Sequence, residues 1–125
     1  MNRIDARFAQ LKQAGQKALV VYVGAGDPHL DATRQLALAF DRAGVDGLLV
    51  LDLPPEEADT YERLMRDAGL CAIWLVAPTT PEARIAQIVP RGTGFIYYIS
   101  REGVTGMQAK VAGNLADRVA LIRKH

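Results

Sequence analysis

Short, unbroken apolar runs that alternate with helical patterns constrain this chain more than any other feature. Residues 18–23 (Ala-Leu-Val-Val-Tyr-Val), 47–51 (Gly-Leu-Leu-Val-Leu), 71–76 (Cys-Ala-Ile-Trp-Leu-Val) and 95–99 (Phe-Ile-Tyr-Tyr-Ile) are apolar at consecutive positions. Such runs read as strands covered on both faces rather than strands with one wet face. Between them the period changes to that of a helix. Residues 3–14 carry Ile4, Phe8 and Leu11 on one stripe, and residues 31–43 carry Ala32, Leu36, Phe40 and Ala43. Pro54-Pro55-Glu56-Glu57 opens a third helix with Tyr61, Met65 and Ala68 on its inner side. Thr80-Pro81-Glu82 caps a short one that Pro90 stops, and a last helix carries Leu115, Val119 and Ile122. Gly15, Gly44 and Gly69 stand where the first three helices should end. One helix followed by four strand–helix units predicts a parallel sheet with right-handed crossovers.

The 125 residues suit a single α/β domain over 1–125. Fifteen Lys/Arg against fourteen Asp/Glu leave a net charge of +1, which gives no footprint for nucleic acid and no basic membrane patch. No apolar run approaches the roughly 20 residues needed to span a bilayer. The first residues, Met1-Asn2-Arg3-Ile4-Asp5, lack a secretion signal's apolar centre, and the lone Cys71 can form no internal disulfide. A soluble, cytoplasmic protein is the expectation. A complete eight-unit barrel needs about 200 residues or more, so this chain is too short to be one.

Ligands of parallel α/β folds gather at the carboxyl ends of the strands, and the unusual polar residues fall there. Gly24-x-Gly26 lacks a third glycine and is followed by Pro28, so it reads as a tight turn around Asp27 rather than a nucleotide loop. Asp52 ends a strand, as a loop anchor or as a general base. Glu56 and Glu57 are helix-start residues. His29 and His125 lack the partners of a metal site, so no metal and no cofactor are implied. Cys71 is a small core residue. Gly103-Val104-Thr105-Gly106 can present amides and a hydroxyl to a phosphate, or can be an ordinary loop.

Several stretches, in order, resemble the tryptophan synthase α chain family. They are Phe8-Ala9-Gln10-Leu11-Lys12, Gly26-Asp27-Pro28, Asp52-Leu53-Pro54-Pro55-Glu56-Glu57, Val76-Ala77-Pro78-Thr79-Thr80 and Tyr97-Tyr98-Ile99-Ser100-Arg101-Glu102-Gly103-Val104-Thr105-Gly106. The resemblance implies an eight-unit barrel that cleaves indole-3-glycerol phosphate to indole and glyceraldehyde 3-phosphate and passes indole to a pyridoxal-phosphate β subunit. It also implies that Tyr22 and Tyr97 line an indole pocket and that Thr105 and Gly106 belong to the loop over the substrate. Two strand–helix units that carry the family's catalytic glutamate and aspartate have no counterpart here. Ala43-Gly44-Val45-Asp46 runs straight into a stretch like the family's fourth strand, and Leu49 stands in the register expected of the glutamate. Units one, four, five and six are retained, as natural truncation or deliberate engineering would leave them.

No catalytic residue is therefore assigned. The expectation is a truncated, inactive scaffold. The alternatives are a lyase active only in a rebuilt barrel and a weak phosphate-binding module. Docking to the β subunit is not expected, because the missing loops carry much of that contact. Four strands cut from a barrel wall expose two edges and an apolar face. A doubly wound, flavodoxin-like sandwich of strand order 2-1-3-4 would cover both, with the first two helices on the former inner face. A homodimer completing an eight-stranded barrel is the alternative.

Overall fold

The computed structural model describes residues 2–21, 29–51, 53–99 and 114–125. Helix α1 (Arg3–Gln13) starts at a reciprocal cap. The Asp5 amide donates to Asn2 Oδ1 at 2.9 Å, and the Asn2 amide donates back to the Asp5 carboxylate at 3.4 Å. Helix α2 (Leu30–Arg42) is capped by His29, whose Nδ1 accepts from the Ala32 amide at 3.1 Å. Beyond it, Gly44 takes a left-handed φ of 83°, and the Val45 amide reaches back to the Phe40 carbonyl. Gly69 does the same after helix α3 (Asp59–Asp67), with Leu70 donating to Met65 at 2.8 Å. These are the glycine stops that the sequence announces.

Strands β1 (Gly47–Leu49), β2 (Cys71–Val76) and β3 (Ile96–Tyr98) form a parallel sheet in the order β1-β2-β3. Gly47 lies beside Cys71, and Trp74 beside Ile96. Helix α4 (Glu82–Ile88) follows β2 and stops two residues before Pro90, inside the short turn of 3-10 helix Val89–Arg91. Thr80 does not cap α4 as expected; its Oγ1 accepts from the Ala77 amide at 2.9 Å, which closes the loop after β2 instead. Helix α5 (Leu115–Lys124) is the last element.

Alternation along β2 sorts its side chains onto two unlike faces. Ala72, Trp74 and Val76 are buried with Met65 of α3 and with Ile85 and Ile88 of α4, and Leu121 and Ile122 of α5 pack on the same cluster. Tyr61 of α3 meets Trp74 edge to face, ring centres 6.2 Å apart, and its hydroxyl donates to the Leu48 carbonyl at 2.5 Å. On the opposite face Cys71 and Ile73 form a small cluster with Ile4 of α1 and with Leu49. A Cβ on Gly47 or Gly94 would stand 2.9 or 2.8 Å from Ile4 Cδ1, so glycine at both positions lets α1 seat against the amino ends of the strands.

Two expectations are corrected. β1 pairs directly with β2, so no strand stands between them and the described sheet does not have the order 2-1-3-4. The physical reason is local: α3, which joins the two strands, bridges them through Tyr61, bonded to the Leu48 carbonyl and packed on Trp74. The expected first strand is also not seen, as far as residues 18–21 describe it. They form no ladder, and Leu19, Val20 and Val21 are 86%, 80% and 57% exposed. A strand exists only through a neighbour, and none of the described residues supplies one.

Ile85, with no exposed surface, is at the centre of the larger cluster, and Ile4 plugs the smaller. Urea denaturation should show Ile85→Ala costing about 3–5 kcal/mol and Ile4→Ala nearer 2 kcal/mol. Burial pushes the Tyr61 phenol up to about 12 from its ordinary value of 10.0. Its folded form keeps the proton that the unfolded chain gives up, so its contribution is complete below pH 10 and is lost as pH rises towards 12. The slope of stability against pH in that window should flatten in Tyr61→Phe.

Candidate functional site

The carboxyl ends of β1, β2 and β3 and the loops that leave them define the candidate site. On the face opposite the helices, β3 presents Tyr97, paired in register with Leu75 of β2. Tyr97 is 50% exposed, so it is a wall residue open to solvent and not sheet core. Leu51, just beyond β1 and 38% exposed, adds to the open apolar character. Leu49 packs against the Ile4, Cys71 and Ile73 cluster deeper on this face. Of the other residues singled out in the sequence, Tyr22, Asp27, Asp52, Thr105 and Gly106 lie outside the described residues.

Ionic contacts hold the rim of the site. Glu56 lies in the short turn Pro55–Glu57 after β1, and Arg84 of α4 binds both oxygens of its carboxylate, Nη2 to Oε2 at 2.8 Å. The Arg84 hydrogen bonds hold the Glu56 carboxyl down at about 2. Glu82, at the start of α4, is lowered as well, first by its hydrogen bond from Lys124 at 2.8 Å. Arg118 of α5 donates to the carbonyls of Thr80 at 2.8 Å and Ala77 at 3.4 Å, tying the last helix to the loop after β2. Sequence reading missed Arg84, Arg118 and the pairing of Arg91 with Glu62 at 2.9 Å. A basic residue on a helix face carries no local signal of which loop it will reach.

Chemically, this rim binds and orients more readily than it moves protons. A general acid or base works best with a pKa near the operating pH. Hydrogen-bonding cations hold Glu56 down at about 2 and lower Glu82 as well, which moves both away from that range. Among the described residues no three His, Cys, Asp or Glu side chains converge as metal ligands. His29 is used as a helix cap, and Cys71 is buried at 5% exposure, as a core residue should be. A cleft of about 350 Å³ lies at the other end of the sheet, between α1 and the approach to β1. There Arg3 and Arg7 both turn onto Asp46, at 2.7 and 3.6 Å, so its charges are already paired.

A parallel sheet with α3, α4 and α5 on one face, and an apolar face opening at the strands' carboxyl ends, belongs to the α/β class to which barrel walls also belong. The family model described as "Tryptophan synthase alpha chain" matches residues 32–125, and the chain belongs to that family. A relative of that name from Opitutus terrae is 56% identical over 87 residues, which cover 70% of this chain and 33% of the relative. One from Laribacter hongkongensis is 30% identical over 203 aligned residues that take in all of this chain and 77% of the relative. Among solved structures, the tryptophan synthase a2b2 complex from Pyrococcus furiosus superposes with a TM-score of 0.61 at 32% identity, over 73% of this chain and 37% of that one. A mutant alpha-subunit from the same organism gives 0.63 at 30% identity, over 78% and 39%. The chain thus spans about a third of the first of these relatives. No helix among the described residues is long and apolar enough to cross a membrane.

The Glu56–Arg84 pair yields a test in acid. The unfolded chain takes up a proton near pH 4.5, whereas folded Glu56 holds its charge down to about 2. Its contribution to stability is therefore complete above pH 4.5 and disappears as pH falls through that interval. Urea midpoints measured across it should fall less steeply in Glu56→Gln than in the parent chain.

Proposed function

We propose that this chain is a folded segment of a tryptophan synthase α barrel that keeps part of the ligand-facing wall without the lyase chemistry. The observation that carries the reading is the apolar character of that wall. Leu49 fills the register at which the family resemblance implies a catalytic glutamate, and it packs on Ile4, Cys71 and Ile73. None of the three strands contains a carboxylate: they read Gly-Leu-Leu, Cys-Ala-Ile-Trp-Leu-Val and Ile-Tyr-Tyr. Releasing indole from indole-3-glycerol phosphate requires a proton delivered to the indole ring and another removed from the glycerol hydroxyl. Each positioned acid or base is worth roughly 10²–10⁴-fold, so losing both removes most of the rate.

The long alignment supports a truncated reading, since 125 residues are spread over 203 aligned positions of the Laribacter hongkongensis relative. The sequential strand order, with α3, α4 and α5 on one face, supports a barrel segment over a doubly wound sandwich. Tyr97 then serves as a residual indole wall, while Tyr22, Thr105 and Gly106 supply the rest of the pocket and Asp27 and Asp52 anchor its loops. The a2b2 complex of the relatives suggests a β-subunit partner for the parent barrel; for this segment that docking surface is incomplete.

The test is an assay of indole release from indole-3-glycerol phosphate by the pure chain, alone and with a tryptophan synthase β subunit. No release above buffer is expected in either arm, and sustained turnover in either overturns the reading. The retained wall has its own test. Free indole should shift the amide resonances around Tyr97 in the parent, and Tyr97→Ala should abolish that response while leaving the urea midpoint unchanged. An unchanged spectrum in the parent removes the wall from the proposal.

A further inference from the structure

The run Ala18-Leu19-Val20-Val21 and the outer edge of β1 are complementary, and the chain does not join them. Leu19 and Val20 are more exposed than any other large apolar residue described, and they lie in a run whose composition suits a strand. On β1, the Asp46 carbonyl accepts from the Cys71 amide at 3.0 Å. Backbone groups alternate sides along a strand, so Asp46 and Leu48 turn theirs to β2 while Gly47 and Leu49 turn theirs away from it. That edge has no strand neighbour among the described residues. The segment between is spent on capping α1: Gly15 donates to Lys12 at 3.2 Å and Gln16 to Leu11 at 2.9 Å. Only Lys17 is left as a link, and α1 itself is held by Arg3 on Asp46 and by Ile4 on the strand ends.

We propose that a second copy of this chain covers the β1 edge, each copy laying its residues 18–21 along Gly47–Leu49 of the other. The occupant is the chain itself because the chain carries both halves of the pairing, strand and edge. Reciprocal exchange closes the assembly at two copies, whereas a one-way contact would propagate. A net charge of +1 puts almost no electrostatic repulsion between copies. A short hinge between a fixed helix and an unpaired strand is also the local arrangement that favours exchange. The association uses no catalytic residue, and because Tyr22 follows directly on the exchanged run, each copy would lend its Tyr22 to the other's strand ends.

Sedimentation equilibrium from micromolar to submillimolar concentration, together with hydrogen exchange at single amides, tests it. The parent chain should move from monomer to dimer mass, and the Gly47 and Leu49 amides should become protected over the same concentration range. Val20→Pro removes a backbone amide from the middle of the run and is poorly tolerated in a paired strand, at a position exposed in the single chain. It should weaken the dimer by roughly tenfold or more and leave the urea midpoint of the dilute protein unchanged. Leu19→Lys, also at an exposed site, should act in the same direction and guards against an effect peculiar to proline. A monomer at every concentration overturns the proposal. So does a dimer that ignores both substitutions or leaves the Gly47 and Leu49 amides unprotected, since its contact then lies elsewhere.

Discussion

A parallel sheet whose strands are apolar on both sides must have both faces covered, and this chain meets the two demands unequally. One face is closed by α3, α4 and α5 over Ala72, Trp74 and Val76. The other is closed at its amino end by a single side chain, Ile4, for which Gly47 and Gly94 leave room. The contacts on that first face are largely local in sequence, the helices packing on strands near them in the chain. Covering the second face is a long-range matter in a barrel, where strands from opposite sides fill the interior in layers. It is therefore the face on which a barrel depends most on strands distant in the chain.

The rim carries the same division between what is local and what is not. Glu56, Arg84, Thr80 and Arg118 link the loops after β1 and β2 to helices α4 and α5 on the covered face. These ties keep the strand ends in place whether or not a ligand is there. Exposed ion pairs of this kind add little to global stability, but they restrict the loops that would carry ligand-binding groups. They also hold Glu56 in one charge state, and this separates a positioning carboxylate from a proton carrier.

Much of the fold was legible in the sequence, and the failures have one cause. The run Cys71–Val76 is a strand at both of its expected ends, because six apolar residues between Gly69 and the Ala77-Pro78 turn have no other use. Helix stops at Gly44 and Gly69 were equally plain, since a left-handed residue is required there. The order of the strands was not legible, because an apolar run reports that it is buried and not what buries it. Residues 18–21 show the same limit: their composition asks for a ladder that the described residues do not offer. At the site, Tyr97, which the resemblance implies for an indole pocket, stands half exposed on the face opposite α3, α4 and α5. Arg84 and Arg118 were not legible, because they act between units of the chain that no local pattern relates.

In a barrel, packing and catalysis depend on the strand–helix units in different ways. Each strand–helix unit contributes to the packed face through residues it shares only with its neighbours, whereas a reaction at the strands' carboxyl ends draws groups from several strands at once. Removing units therefore subtracts from packing roughly in proportion and from catalysis all at once. Trp74, Val76 and Ile85 still find one another, and Leu49 still packs at its depth on the inner face. Packing asks only that an apolar group of suitable size meet another, whereas proton transfer asks for a carboxylate at one point and a second across from it.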